Sequence, residues 1–322
     1  MKKQFILPLL SVFCLSSCNE SVVESTFFYF DTTVSVRLYD GKKQDIKDAN
    51  EEFLSKLDKL ADAYQSRGVN NVYTINQTNE PVEVDALLYT LLQTSMSLSE
   101  EFPYFNPLCG SLSNKWKEAL KSNTILSSEV INEELAKINS SELKLLGNMK
   151  VQRVGDATID LGAVTKGYAL DLVNLLFEVK GLNEYLVNAG NSSILLGEKN
   201  SEDHMFVVGL NELPDYYVLA NNTYISTSSI SLQGKNIDGV NYSHIVNPIT
   251  GSAVNLHDAV IVLSDNGLLG DALSTAMMNN TLEEIKAIEE EYEVKCIVIK
   301  DNNVEYKHPE IVLHNTYETT EK

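Results

Sequence analysis

IDLGAVTKGYALD, residues 159–171, carries the chain from an extended segment into a helix. An apolar, extended piece ends at Leu161, a glycine follows, and from about Thr165 the apolar spacing is helical. Gly162 permits tight backbone geometry between the two, and amides at a helix start suit a phosphate or a carboxylate. Asp160 is placed to accept from hydroxyl or ring N–H donors, and Lys166 to meet an anion. Taken alone, an Asp and a Lys at such a junction more often cap the turn.

Downstream, a helix over 166–180 leads into short strands at 184–188, 193–196, 205–209, 216–220, 224–228 and 259–263. Helices over 269–278 and 282–291 and a strand over 294–299 close the unit. Upstream, 144–160 reads as short strands and 114–120 and 128–138 as helices, with Ser128 as N-cap. Residues 85–100 form a helix stopped before Pro103, and 45–64 another, from apolar residues at Ile46, Ala49, Phe53, Leu57, Leu60 and Tyr64. The alternating stretch 27–39 predicts one strand, with Asp40-Gly41 as its turn. Few regular βαβ units and many strands predict an α+β fold: a single large domain, 27–313, of mixed, largely antiparallel sheet with flanking helices. Residues 314–322 read as a polar, frayed tail.

Three further polar motifs follow in order: LVNAGNSSILLG (186–197), YSHIVNPITG (242–251) and GDALSTAMM (270–278). In the last, Asp271 and Thr275 are four apart and share a helical face, with Ser274 beside them. A carboxylate and hydroxyls facing a loop carbonyl make an incomplete oxygen shell of the kind Mg²⁺ accepts, since it keeps waters and takes phosphate oxygens from a substrate. Alone, Asp271 reads better as a helix cap, with Thr275 simply packed. His244 precedes the Asn-Pro turn; a lone histidine is more often a structural hydrogen-bonder, yet it is the natural proton acceptor near neutral pH.

At the N-terminus, Lys2 and Lys3 precede an apolar stretch, 5–15, too short to span a bilayer but suited to a signal peptide. It ends in Leu15-Ser16-Ser17-Cys18, which resembles a lipobox: 1–17 would be removed, Cys18 acylated, and 18–26 would be a tether. The expectation is an exported lipoprotein on the periplasmic face of the inner membrane. Of four cysteines this leaves Cys109 and Cys296, in no metal or redox motif; a bond between them stays open, a buried free thiol being the blander answer. The formal net charge of −20 argues against nucleic acid as a partner.

The four motifs together, with FDTTVSV (30–36) and YFNPLCGSL (104–112), resemble the ApbE family of flavin transferases, nearly throughout the chain after residue 26. The resemblance implies an ApbE-like (T-fold-like) domain that cleaves the FAD pyrophosphate with Mg²⁺, releases AMP and joins FMN by a phosphoester to a threonine. The acceptors implied are flavoprotein subunits of respiratory or electron-transfer complexes with a Ser/Thr-rich flavinylation sequence. It implies metal ligation by the Ala163 carbonyl, Asp271 and Thr275, with Ser274 as a possible contributor. Flavin contacts would come from Phe30, Tyr64, Tyr104, Phe105, Asn106, Asp160, Lys166 and Ile245, and His244, Lys166 and Asp271 would be catalytic. A metal-dependent FAD pyrophosphatase shares all these residues; a non-catalytic flavin-binding lipoprotein is the third reading.

The chain departs from the family pattern at several points. Phe30-Asp31-Thr32 stands for Met-Gly-Thr, Thr165 for a small apolar residue, Asn191 for a second glycine, Ser229 for the glycine of Thr-Ser-Gly, and Asn247 for the aspartate of His-Ile-Asp-Pro. None of these removes an expected metal ligand.

Overall fold

The computed structural model describes residues 22–199, 205–231 and 234–316. The signal segment and Cys18 lie outside them. The chain opens with strands β1 (Val23–Tyr29) and β2 (Thr32–Leu38), then helices α1 (Lys43–Ala49) and α2 (Ser55–Leu60) joined by a π-helical turn, Asn50–Leu54. α3 (Val72–Asn76), β3 (Val82–Glu83), α4 (Ala86–Glu101), α5 (Gly110–Lys121) and α6 (Ser128–Asn139) follow, then β4 (Glu142–Gly147) and β5 (Lys150–Val154). α7 (Thr165–Val179) leads to β6 (Tyr185–Ala189), β7 (Ser193–Leu196), β8 (Phe206–Leu210), β9 (Leu213–Ala220), β10 (Thr223–Ser229), β11 (Lys235–Ile237) and β12 (Val240–Tyr242). β13 (Ala259–Ser264), α8 (Gly267–Met277), α9 (Leu282–Tyr292), β14 (Lys295–Lys300), β15 (Asn303–Lys307) and β16 (His314–Asn315) complete it.

An eight-stranded sheet, ordered β1-β2-β6-β7-β10-β13-β14-β15, is the spine of this α+β fold. Each ladder in it is antiparallel. Both faces are covered, so its central strands read as unbroken apolar runs such as AVIVL and CIVI. Along β13, Val260 and Val262 face a core shared with α7 and α8, while Ala259 and Ile261 face a second core under β8 and β9. β14 divides the same way, Cys296 and Val298 on one side, Ile297 and Ile299 on the other. Fully burying each of these valines and isoleucines contributes about 1.5–3 kcal/mol.

Several expectations are corrected. The stretch 27–39 is two strands, not one: Phe30 and Asp31 both take positive φ (53° and 56°) and pair Tyr29 with Thr32. Such a two-residue turn usually carries Asn or Gly, and neither is present to mark it. The hairpin draws Val23 to Thr26 into the sheet, so the expected tether 18–26 is partly strand. The helix expected over 45–64 ends at Leu60, where the Ala61 amide closes on Leu57, and Tyr64 lies in the loop. Ser127, not Ser128, caps α6 by accepting from the Val130 amide. His314 and Asn315, assigned to a frayed tail, pair with Tyr217 and Tyr216 of β9.

Candidate active site

The polypeptide entering α7 is held in place by side chains distant in sequence. The Asn76 amide brackets the backbone of Ile159: its Oδ1 accepts from Ile159 N (2.8 Å) and its Nδ2 donates to the Ile159 carbonyl (2.9 Å). Asp160 N donates to the Pro107 carbonyl and Gly110 N to that of Thr158, stitching this extended segment to the start of α5. The strand expected here is reduced to a single parallel bridge between Thr158 and Cys109. The Asp160 carboxylate then turns back to accept from Gly162 N (2.7 Å) and receives the Tyr64 hydroxyl at 3.5 Å. The amides of Val164 and Thr165 both close on the Leu161 carbonyl, so they present no anion site.

α8 supplies the deepest group. Asp271 is 4% exposed and accepts three donors: Ser226 Oγ (2.7 Å), Ser193 Oγ (2.8 Å) and Gly167 N (2.7 Å). Burial pushes its carboxyl above the ordinary carboxylate range, against the opposing pull of Lys166 and the three donors. Two carboxylate oxygens offer about four acceptor positions, so roughly one direction stays open. Gly167 N would in a regular helix close on the Ala163 carbonyl; its diversion to Asp271 releases that oxygen. Ser274 Oγ and Thr275 Oγ1 donate to the Asp271 carbonyl, both at 3.0 Å, and meet Ser228 Oγ at 3.0 and 3.2 Å. All are oxygen donors, the chemistry a hard divalent cation requires.

One cavity of about 370 Å³ joins these pieces. Lining it are Phe30, Tyr64, Tyr104, Phe105, Asn106, Asp160, Ala163, Lys166, His244, Ile245, Asp271, Ser274 and Thr275, all the site residues anticipated from the sequence except Cys18. His244 Nδ1 is buried without a hydrogen-bond partner. Burial, together with Lys117 and Lys166, lowers the imidazolium to about 4, which leaves the ring neutral at neutral pH. Sequence reasoning passed over Ser193 and Ser226, which hold Asp271, although a serine within a buried strand is a usable signal. It also passed over Asn211 and Glu212, which the β8–β9 turn brings to the same cavity. Burial raises the Glu212 carboxyl.

Two of the family departures are readily accommodated. Asn191 sits at φ 60°, a conformation asparagine tolerates, with its amide donating to Asn188 Oδ1. Asn247 Oδ1 accepts from Ile249 N and Thr250 N, work an aspartate could also do. Cys109 and Cys296 are both free and buried.

An antiparallel sheet bearing two helices, whose shared cleft gathers a buried carboxylate, hydroxyls, a neutral histidine and aromatic rings, defines a ligand-binding class of α+β domain. The chain belongs to the ApbE family, whose sequence model matches residues 30–298. It is similar to proteins named FAD:protein FMN transferase from Rhodobacter capsulatus (23% identical, covering 90% of this chain and 57% of that one) and Treponema pallidum (25%, 61% and 60%). It therefore spans less than two thirds of the length of either. The crystal structure of the ApbE protein from Thermotoga maritima superposes with a TM-score of 0.75 at 22% identity, covering 94% of this chain and 100% of that one.

Proposed function

We propose that this chain is an Mg²⁺-dependent FAD:protein FMN transferase that attaches FMN through a phosphoester to a threonine of an acceptor protein. One observation carries the reading: a neutral histidine with a partnerless nitrogen shares a cavity with a buried carboxylate, two hydroxyls and a released carbonyl. The names of the family relatives support it. The threonine oxygen bonds to the FMN phosphorus of FAD, the bond from that phosphorus to the bridging oxygen breaks, and AMP leaves with that oxygen. His244 takes the hydroxyl proton, and Lys166 offsets negative charge growing on the AMP phosphate. A divalent cation held by Asp271, Thr275, Ser274 and the Ala163 carbonyl would supply Lewis-acid stabilisation of the diphosphate. Phe30, Tyr64, Tyr104 and Phe105 offer aromatic surface to the flavin, and Asp160 accepts from its ring N–H or ribityl hydroxyls.

We further propose that the chain is exported, acylated at Cys18 and held at the periplasmic face of the inner membrane. Its acceptors would be electron-transfer subunits carrying a Ser/Thr-rich flavinylation sequence.

Incubation with FAD, Mg²⁺ and a tagged acceptor should give a fluorescent acceptor band and AMP. Free FMN without labelled acceptor would replace the threonine by water, and unchanged FAD would defeat the reading. Asp271→Ala should abolish Mg²⁺-dependent turnover.

A further inference from the structure

Asp171, the last residue of the 159–171 motif, has no part in the reaction above. It lies on α7 one turn beyond Gly167 and reaches across to α8. Its Oδ1 accepts from Gly267 N at 2.6 Å and its Oδ2 from Leu268 N at 2.9 Å. In the opposite direction, Asp271 of α8 accepts from Gly167 N of α7 at 2.7 Å. The helices thus exchange carboxylates on either side of the point where Gly167 and Gly267 meet backbone to backbone. A methyl group on either glycine would overlap the carbonyl oxygen of the other.

We propose that Asp171 is a positioning residue for the cation, fixing α8 against α7 so that oxygens carried by the two helices stay at coordination distance. The inference rests on the cation reading of the cleft. The Ala163 carbonyl precedes α7, whereas Asp271, Ser274 and Thr275 ride on α8. Mg²⁺ tolerates little departure from oxygen distances of about 2.0–2.1 Å, so its affinity depends on how the helices are set against one another. Hydrogen bonds from a side chain of one helix to the backbone of the other add a directional constraint that non-directional apolar burial does not. Asp171 also caps α8, taking the Gly267 and Leu268 amides while Asn266 Oδ1 takes that of Leu269, but only the Asp171 carboxylate comes from another helix. What Asp171 adds is a tie between elements, and Asp271 completes it while diverting the Gly167 amide from the Ala163 carbonyl.

The test is Mn²⁺ binding to the purified full chain without FAD, read by EPR or calorimetry beside urea unfolding. Asp171→Asn should weaken Mn²⁺ binding about 10- to 100-fold, the usual effect of removing a group that orients metal ligands. Asn266→Ala removes a cap from the same helix end and should leave the Mn²⁺ Kd within about twofold while lowering the urea midpoint. Unchanged affinity in Asp171→Asn, or equal weakening in both variants, overturns the inference and leaves the cation reading standing. Absence of Mn²⁺ binding by the unsubstituted chain overturns both. Should Asp171→Asn not fold, Tyr224→Phe, which removes the phenol hydrogen bond to Asp171, should weaken binding about two- to fivefold; no change there overturns the inference.

Discussion

His244 is neutral because its surroundings reject a second charge, and that has a cost in acid. Its ordinary value is 6.5, and in the folded chain it falls to about 4. Between those values the unfolded chain takes up a proton that the folded one refuses. Stability is therefore full above pH 6.5 and is lost as the pH falls toward 4, by up to about 3 kcal/mol. Urea titrations at pH 7.5 and 4.5 should show a smaller pH difference for His244→Gln than for the unsubstituted chain; an equal difference would assign the acid sensitivity elsewhere. In the proposed FAD complex two phosphate charges would oppose the rejection. The acid limb of kcat should then lie at higher pH than that of kcat/KM, which reports the free enzyme. His244 and Asp271 were legible because each sits inside a short motif whose neighbours announce it. Asn76 was not: its two bonds go to Ile159, 83 positions away, and nothing beside it hints at them.

Among the elements, the α7–α8 crossing and the β1–β2 hairpin show opposite relations between sequence and shape. Gly167 lies in a helix, where glycine is unfavourable, because the Gly267 carbonyl occupies the space a Cβ would take. Gly167→Ala should destabilise by about 1–3 kcal/mol in urea unfolding, although alanine is the better helix former. At the hairpin, Phe30 and Asp31 hold left-handed backbone where glycine would be easy. Asp31→Gly should leave the fold intact and raise stability by up to about 1 kcal/mol, and a loss would show that the carboxylate stabilises the turn. The longer helices were read to within about four residues from their apolar spacing, but the five-residue α3 was missed. The hairpin was missed because neither Phe30 nor Asp31 is an Asn or Gly that would mark the bend, and Tyr64 was placed in a helix because its spacing prolongs that of Leu57 and Leu60 by chance.

For the whole molecule, the fold class was legible from the count and spacing of strands, but the strand order was not. β2 pairs with β6, and β10 with β7 and β13, pairings between segments far apart along the chain whose partners no local pattern names. The same remoteness governs the cleft, whose walls come from residues as distant as Phe30 and Thr275. The strand carrying Ser226 is flanked by β13, and β13 in turn by β14, which ends at Lys300. During synthesis, then, a ribosome must have released the chain as far as Lys300 before any ligand can be gripped. Nascent chains stalled before β14 should emerge without FAD affinity, and flavin capture would signal that translation of the domain is complete.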